Sequence, residues 1–398
     1  MTKIILILNS IFIFSAIAFS QESTFDFDGK GGKILNNNEL SLPKVNNKKF
    51  FCKKTPFTIN ENGEIIELKK EKDIYFYKPN QIIGWRIYCG SSNPWAIKET
   101  YSRNVSIAGH NHNGNIPLLR VSDVSLTPNQ PPLTSFKEVP NVFYLPFSGS
   151  LQGKTTYYYW EYPGEFSHIL YETTEWIGGC TGSQTDKINI MIKGLEDLKK
   201  DEGYILTGMT SIHPYNHYVT SSFGETLKEI GKEWKQICPQ SKPLEYNDAS
   251  LPWGGLFDIK GNWQPPHMGH RYGVEIDISK RRIRKGNREK VIRMMCKYAI
   301  VYSEGDGPNE VPHYHLVSKK APQEVFKELE EMIKQEKIIP CCPASSTDTI
   351  PAACINLESG GQPIPEDNDI PVESDCPGPY TSIPSINFSP GWIEENEH

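Results

Sequence analysis

The chain has 398 residues, with 42 Lys and Arg against 48 Asp and Glu, which gives a formal net charge of −6. This balance argues against a nucleic-acid-binding protein, and the length exceeds one ordinary hydrophobic core, so two domains with tails are expected. The basic run at 280–285 is a local exception. It indicates a solvated loop, because no aromatic residues interleave with it.

The N-terminus has the pattern of a secretory signal peptide over residues 1–20. A short basic start is followed by the apolar run 4–19, which is too short to cross a bilayer, and Ala18 and Ser20 both suit a cleavage site. A retained signal anchor is the alternative. Because no later stretch is long and apolar enough for a membrane helix, we expect no transmembrane segment and a secreted, periplasmic or cell-surface protein.

Nine cysteines in an exported chain predict disulfide bonds, with a connectivity that the spacing leaves open. The odd count leaves at least one thiol without a partner in the chain. Cys296 falls on a predicted helix face, where a free cysteine can simply be buried.

Residues 21–99 are polar and turn-rich, and we interpret them as an N-terminal extension. Residues 100–200 contain short β-type runs between Gly, Pro and Asn clusters, which predict an all-β sandwich. Its clearest strand signals are Asn141–Leu145, Tyr157–Trp160 and Ile188–Ile192. This stretch weakly resembles bacterial immunoglobulin-like modules.

Residues 201–340 change pattern and predict an α+β domain. Apolar residues three and four positions apart follow the capping-box sequence Ser222–Glu225, and two further helices are expected after Asn287 and after Pro322. Strand-like segments lie at Gly255–Ile259 and Val274–Ile278. From residue 341 to 398 the composition is rich in Cys and Pro with little to fill a core, which indicates a tail.

Six of the ten histidines fall within the predicted α+β domain, and the first motif there is HxxGxxxD. It sets His270 at the mouth of a strand and Asp277 near the end of that strand. Since alternate strand residues share a face, Glu275 and Asp277 point to the polar side, and Gly273 is expected to leave that face open near His270.

The second motif is HxH, which places His313 and His315 on one face of another strand. Two imidazoles and one carboxylate from neighbouring strands suit a tetrahedral zinc ion whose fourth position is open to water, the catalytic form of such a site. We therefore predict that His270, Asp277 and His315 bind Zn²⁺.

Together the two motifs resemble the LAS zinc metallopeptidases, which include murein endopeptidases, D-Ala-D-Ala carboxypeptidases and the hedgehog signalling domain. The resemblance implies that His270, Asp277 and His315 are the zinc ligands and that His313 is the catalytic histidine. The chain differs from the family in the residues that follow the HxH motif. It also has no acid at the position where the carboxypeptidase branch places one, shortly before its last zinc histidine. Glu310 is the nearest candidate for that acid and Glu304 the next, so the general base stays open.

Several other residues have two interpretations. Glu275 can hold a ligand histidine or contact substrate, or it can be a solvated strand carboxylate. His267 can contact substrate or be structural. His213 and His217 can line the cleft or pack at the start of the first helix.

A further HxH pair, His110 and His112, lies in a turn-rich stretch. No acid is near it in the sequence, and we do not expect a metal there.

The function expected from these features is a secreted zinc-dependent peptidase that hydrolyses peptide cross-links of bacterial cell wall. Its partner would be a peptide or peptidoglycan. The alternative is a secreted binding or adhesion protein with a structural, non-catalytic zinc site. A third hypothesis puts the function in residues 100–200. Cleft shape, on which the exact substrate depends, is set by loops that the sequence does not place.

Overall fold

The structure is a computed structural model of the chain. It describes residues 52–60, 62–90, 95–112, 114–128, 135–147, 155–178, 182–264, 268–304, 312–335, 337–343 and 348–355. The predicted signal peptide and the tail beyond 355 lie outside the described residues, as do His267 and Glu310.

Two β-sheets form the N-terminal half. The first has six strands in the order β2 (Ile65–Glu67), β1 (Cys52–Ile59), β4 (Ile83–Cys89), β9 (Thr155–Tyr162), β6 (Leu119–Val121) and β7 (Lys137–Val139). The second has five, in the order β3 (Ile74–Tyr77), β11 (Gly182–Ile190), β10 (His168–Gly178), β5 (Trp95–Asn104) and β8 (Val142–Phe147). All neighbours are antiparallel except β3 and β11, which are parallel.

Apolar residues from both sheets fill one continuous core that includes Trp85, Trp95, Phe143 and Leu170. The predicted all-β sandwich is therefore present, while its immunoglobulin-like character stays a prediction. The sandwich begins at Cys52, so residues 52–99 are not an extension as the sequence suggested. β2 and β3 have only three and four residues, and four consecutive residues of β1 are buried, so the two-residue alternation that marks a strand is weak there.

A buried ionic cluster lies inside the sandwich. The Lys54 ammonium is 3.0 Å from the Glu99 carboxylate and 3.2 Å from that of Glu172, and it lies 3.8 Å from the ring centre of Trp85. Burial raises the pKa of Glu172 well above its usual value, and the charge of Glu161 raises it further. Lys54 is thus the positive charge that faces both carboxyl groups in this buried setting.

The C-terminal half is built on a six-stranded mixed sheet with helices packed against it, as the α+β prediction required. The strand order is β13 (Tyr204–Leu206), β15 (Leu244–Tyr246), β16 (Glu275–Ser279), β18 (His313–Ser318), β17 (Ala299–Glu304) and β19 (Ile338–Pro340). A separate two-stranded sheet pairs β12 (Leu195–Asp197) with β14 (Tyr218–Thr220).

The described helices are α1 (Ser221–Ile237), α2 (Met268–Tyr272), α3 (Lys285–Tyr298), α4 (Gln323–Lys334) and α5 (Ala352–Ile355). The three predicted helices correspond to α1, α3 and α4. The predicted strand at Gly255–Ile259 is wrong, because this segment is irregular apart from one isolated bridge at Gly255. Gly254 and Gly255 both have positive φ angles, of 68° and 74°, which a strand does not accommodate.

Two disulfide bonds fasten the end of the described chain to the α+β core. Cys296 of α3 is bonded to Cys342, and Cys341 to Cys354, so Cys296 is not the free buried thiol that the sequence suggested. The described residues 341–343 and 348–355 accordingly pack on the core, so the predicted tail does not begin at 341. Disulfide bonds are compatible with an extracellular location. Among the described residues, no helix is long and apolar enough to span a bilayer.

We predict that Lys54→Met lowers the unfolding free energy of the sandwich by about 3–5 kcal/mol, because it leaves the buried carboxylates without a counter-charge. Glu172→Gln is the matched control. It keeps the shape of the side chain and leaves Lys54 paired with Glu99, so its effect should be smaller. Urea unfolding followed by tryptophan fluorescence measures both, and equal effects of the two variants would contradict this description of the cluster.

Candidate metal centre

The pairing of β16 with β18 forms the base of the site. The strands are antiparallel, with Asp277 directly opposite His315. The alternate residues Ile276 and Ile278 of β16 and Leu316 of β18 are buried in the apolar core. The polar residues therefore gather on the opposite face of the sheet, as the two-residue alternation predicted.

His270 reaches this face from the short helix α2 rather than from the strand itself. Gly273, with a φ of 65°, makes the turn that joins α2 to β16. A β-carbon at Gly273 would lie 2.6 Å from a methyl group of Leu195. This glycine is thus required for the turn and for close packing, not for leaving the strand face open as predicted from the sequence.

The predicted metal-binding atoms come together. Asp277 Oδ1 lies 3.4 Å from His270 Nε2 and 2.9 Å from His315 Nδ1. Glu275 joins the group, and one donor atom from each of the four residues lies within 4.8 Å of all the others. All four residues are buried. This cluster can hold a metal ion, since imidazole and carboxylate are the ligands that such ions use in proteins.

Hydrogen bonds orient two of these side chains. His270 Nδ1 donates to the carbonyl of Ala249 at 2.8 Å, which leaves Nε2 as the acceptor that faces Asp277. His315 Nδ1 is 2.9 Å from Glu275 Oε1, which also accepts a hydrogen bond from the hydroxyl of Tyr302. The Tyr302 ring stacks on His315 with their centres 4.6 Å apart.

Gly269 makes room for Glu275. A β-carbon at this position would lie 1.9 Å from the Glu275 Oε2 atom. Because Glu275 is completely buried and lies 2.9 Å from His315 Nδ1, it is not the solvated strand carboxylate that the sequence left as an alternative.

The electrostatics of the cluster favour a cation. Burial alone would lower the pKa of His270, but the charges of Glu275 and Asp277 outweigh it and raise the pKa to about 9. Burial alone would raise the pKa of Asp277, yet the neighbouring His315 and His270 hold it well below its usual range. The carboxylates of Glu275 and Asp277 thus make this buried position favourable for positive charge, which protons on the histidines or a bound cation can supply.

His313 lies beside the cluster on its more exposed side. Its Nε2 atom is 2.9 Å from His315 Nε2 and 3.8 Å from Asp277 Oδ2, and 17% of its side chain is exposed. Of the candidate acids, Glu310 lies outside the described residues. Glu304 is the last residue of β17, and its side chain is not described.

Asp248 is a buried acid near the site that sequence reasoning missed. Burial raises its pKa to about 7, and the charge of Asp277 acts in the same direction. The side-chain amide of Asn216 donates to the Asp248 carboxyl group at 2.5 Å. The backbone N–H of Asp277 donates to the backbone carbonyl of Asp248 at 2.9 Å. No motif marks the position, because only the fold brings this loop to β16.

His213 and His217 do not join this cluster. His213 lies with His110, His112 and Asp258 in a second group whose possible ligand atoms are all within 4.8 Å of one another. Asp258 supplies the acid that the sequence around the HxH pair lacks. Burial lowers the pKa values of His110 and His112.

Comparisons with known proteins leave the family open. No protein-family model matches the chain, and no curated protein matches it. Among solved structures, AvmM, described as catalysing macrocyclization in alchivemycin A biosynthesis, is 8% identical over 36% of this chain and 89% of its own, with a TM-score of 0.18. The collagen-binding subdomain of the Enterococcus faecalis surface protein ACE is 7% identical over 37% of this chain and 99% of its own, with a TM-score of 0.15. At such TM-scores we base no argument on them.

We predict that Asp277→Asn abolishes stoichiometric metal binding at this centre, because it removes the charged ligand that lies between the two histidines. The matched control is Asp197→Asn, which makes the same chemical change at an exposed carboxylate of β12. Metal content after dialysis, measured by mass spectrometry, compares the two. Equal metal content in both variants would show that Asp277 is not a ligand.

Proposed function

We propose that the chain is a secreted zinc-dependent peptidase. The observation that carries the proposal is the convergence of His270 Nε2, Asp277 Oδ1 and His315 Nδ1 in a buried cluster with His313 on its exposed side. Two imidazoles and one carboxylate are a donor set that occurs in catalytic zinc sites. The LAS-type motifs of the sequence agree with this donor set.

Zinc, when bound, supplies Lewis-acid chemistry that polarises a peptide carbonyl and makes water easier to deprotonate. The residues of the chain do the remaining work. Ala249 fixes His270 through a hydrogen bond to Nδ1, and the stacked ring of Tyr302 fixes the plane of His315, whose Nδ1 faces Asp277 and Glu275. His313, half-buried at the open side, is the group we assign to carrying a proton from water to the leaving amine.

Asp248 is the alternative proton carrier within the described residues. A carboxyl group with a pKa of about 7 can both take up and release a proton near neutral pH. It is more buried than His313, and its carboxyl group is hydrogen-bonded to Asn216. These two features suit Asp248 to a supporting position in the site, and His313 to proton transfer.

The substrate class we propose is peptide cross-links of bacterial cell wall. This choice follows from the resemblance of the two motifs to murein endopeptidases, and an extracellular location would expose the enzyme to such a substrate. Whether the bond cleaved is internal or C-terminal depends on the shape of the cleft, which the two motifs do not specify.

The test is the release of muropeptide fragments from purified peptidoglycan by the zinc-loaded full chain. We expect His313→Ala to lower the rate by about 10²–10⁴-fold, the usual contribution of a proton carrier, while the zinc content stays unchanged. Asp248→Asn and Glu310→Gln, measured in parallel, report on the other candidates. A zinc-loaded wild-type chain that releases no fragments would contradict the peptidase proposal.

One observation favours the second candidate function, a binding protein with a structural zinc. Glu275 offers a fourth donor within the same cluster, and four protein ligands would close the coordination sphere.

The variant Glu275→Gln separates the two functions. If Glu275 lies beside the ion without binding it, zinc affinity should fall about 10–100-fold and peptide cleavage should persist at saturating zinc. If Glu275 is a fourth ligand, the variant should lose stoichiometric zinc, and the wild-type chain should cleave nothing.

A further inference from the structure

A second group of possible metal ligands lies where the sandwich meets the α+β half. His110 and His112 belong to the loop that follows β5, His213 to the loop between β13 and β14, and Asp258 to the irregular segment before α2. His110, His213 and Asp258 are at most 1% exposed, and His112 is partly exposed. The four residues thus come from three separate stretches of the chain.

The atoms surround one point. Asp258 Oδ1 lies 3.4 Å from His110 Nδ1, 3.2 Å from His112 Nε2 and 3.2 Å from His213 Nε2. His110 Nδ1 and His112 Nε2 are themselves 3.2 Å apart. Ligands about 2.0–2.1 Å from a tetrahedral zinc ion are about 3.3 Å from each other, so these separations match the edges of such a tetrahedron.

Hydrogen bonding within the cluster leaves several of its polar atoms without a partner among the described residues. Among the described residues, Asp258 Oδ1 and both ring nitrogens of His213 have no hydrogen-bond partner although they are buried. Buried polar atoms without a partner are costly, and atoms that approach closely without alignment are typical of ligands that face a shared ion. The other oxygen of Asp258, Oδ2, accepts a hydrogen bond from the backbone N–H of Trp263 at 2.6 Å. This bond turns Oδ1 toward the histidines.

An aromatic side chain covers one side of the cluster. The ring of Trp263 lies 4.9 Å from that of His110 and 4.6 Å from that of His112, and its indole N–H donates to the carbonyl of Gly114 at 2.6 Å. Four protein ligands in a closed, buried setting are the features of a structural metal site rather than a catalytic one. Three imidazoles select a transition metal such as zinc over calcium or magnesium, which prefer oxygen ligands.

Direct hydrogen bonds join the sandwich to the α+β half next to this cluster. The backbone N–H of Asn111 donates to the carbonyl of Ile212 at 2.8 Å, and its side-chain amide donates to that of Ser211 at 2.9 Å. Phe257, next to Asp258 in the chain, packs edge-on against His213 with ring centres 5.1 Å apart and against His270 at 6.3 Å. An ion at this point would therefore also fix a residue that contacts the first cluster.

We propose that His110, His112, His213 and Asp258 bind a second, structural transition-metal ion of the zinc class, which clamps the sandwich to the α+β half. The clamp holds the loop of Phe257 against His270. This proposal does not depend on peptidase activity, because its readouts are metal content and stability.

Metal content of the full chain after zinc loading and dialysis is the first test. The wild-type chain should hold two zinc ions, one for each cluster. His112→Ala and Asp258→Asn should each hold one ion fewer, and Asp277→Asn combined with His112→Ala should hold none. His112 is the most exposed ligand, so His112→Ala is the variant that least disturbs the surrounding packing.

The matched control is Asn111→Ala, which lies between the two loop histidines and removes a hydrogen bond to Ser211 without removing a ligand. It should keep the full zinc content.

Thermal unfolding gives the second readout. Chelation should lower the Tm of the Asp277→Asn chain, and should lower the Tm of the Asp277→Asn, His112→Ala chain much less. A folded wild-type chain with a single zinc ion that His112→Ala leaves in place would overturn the proposal. Loss of peptidoglycan cleavage with full zinc content would count only against the peptidase.

Discussion

The antiparallel pairing of β16 with β18 is the constraint on which the candidate metal centre depends. Its register sets Asp277 opposite His315, and Glu275 opposite Val317. A slip of one residue in β16 would turn Asp277 into the apolar core and bring Ile276 to the polar face. The burial of Ile276, Ile278 and Leu316 therefore stabilises the sheet and fixes the positions of the ligands at the same time.

Local periodicity explains which parts of the fold could be predicted. The helices α1, α3 and α4 follow apolar spacing that lies close together in the sequence, although α1 begins at Ser221, one residue before the expected cap, and α3 begins before Asn287. The strands of the HxxGxxxD and HxH motifs alternate clearly, so the shared faces of the candidate ligand residues could be predicted. Strands β1 to β3 were missed because β2 and β3 are very short and β1 does not alternate. The segment 255–259 was misassigned because it follows Gly254 and begins at Gly255, both in positive-φ conformations.

Contacts between distant segments explain the rest. Nothing near His110 and His112 in the sequence indicates an acid, since Asp258 is brought to them only when the two halves of the chain pack together. The same is true of Asp248, whose loop approaches β16 through one backbone hydrogen bond from Asp277. Such residues carry no motif, and their role depends on topology.

The two clusters share one physical character. In each, histidine nitrogens and carboxylate oxygens are withdrawn from water and lie within 4.8 Å of one another, an arrangement in which one metal ion can bind to all of them. Phe257 contacts a histidine of each cluster, so the loop that contributes Asp258 also packs against His270. The candidate centre is thus supported from the sandwich side as well as from its own sheet.

The central claim is that His270, Asp277 and His315 bind one metal ion together. The most direct measurement is anomalous diffraction from crystals of the zinc-loaded chain, with data collected on both sides of the zinc absorption edge. We expect an anomalous peak in contact with His270 Nε2, Asp277 Oδ1 and His315 Nδ1. Well-ordered side chains at these three positions with no anomalous peak between them would contradict it.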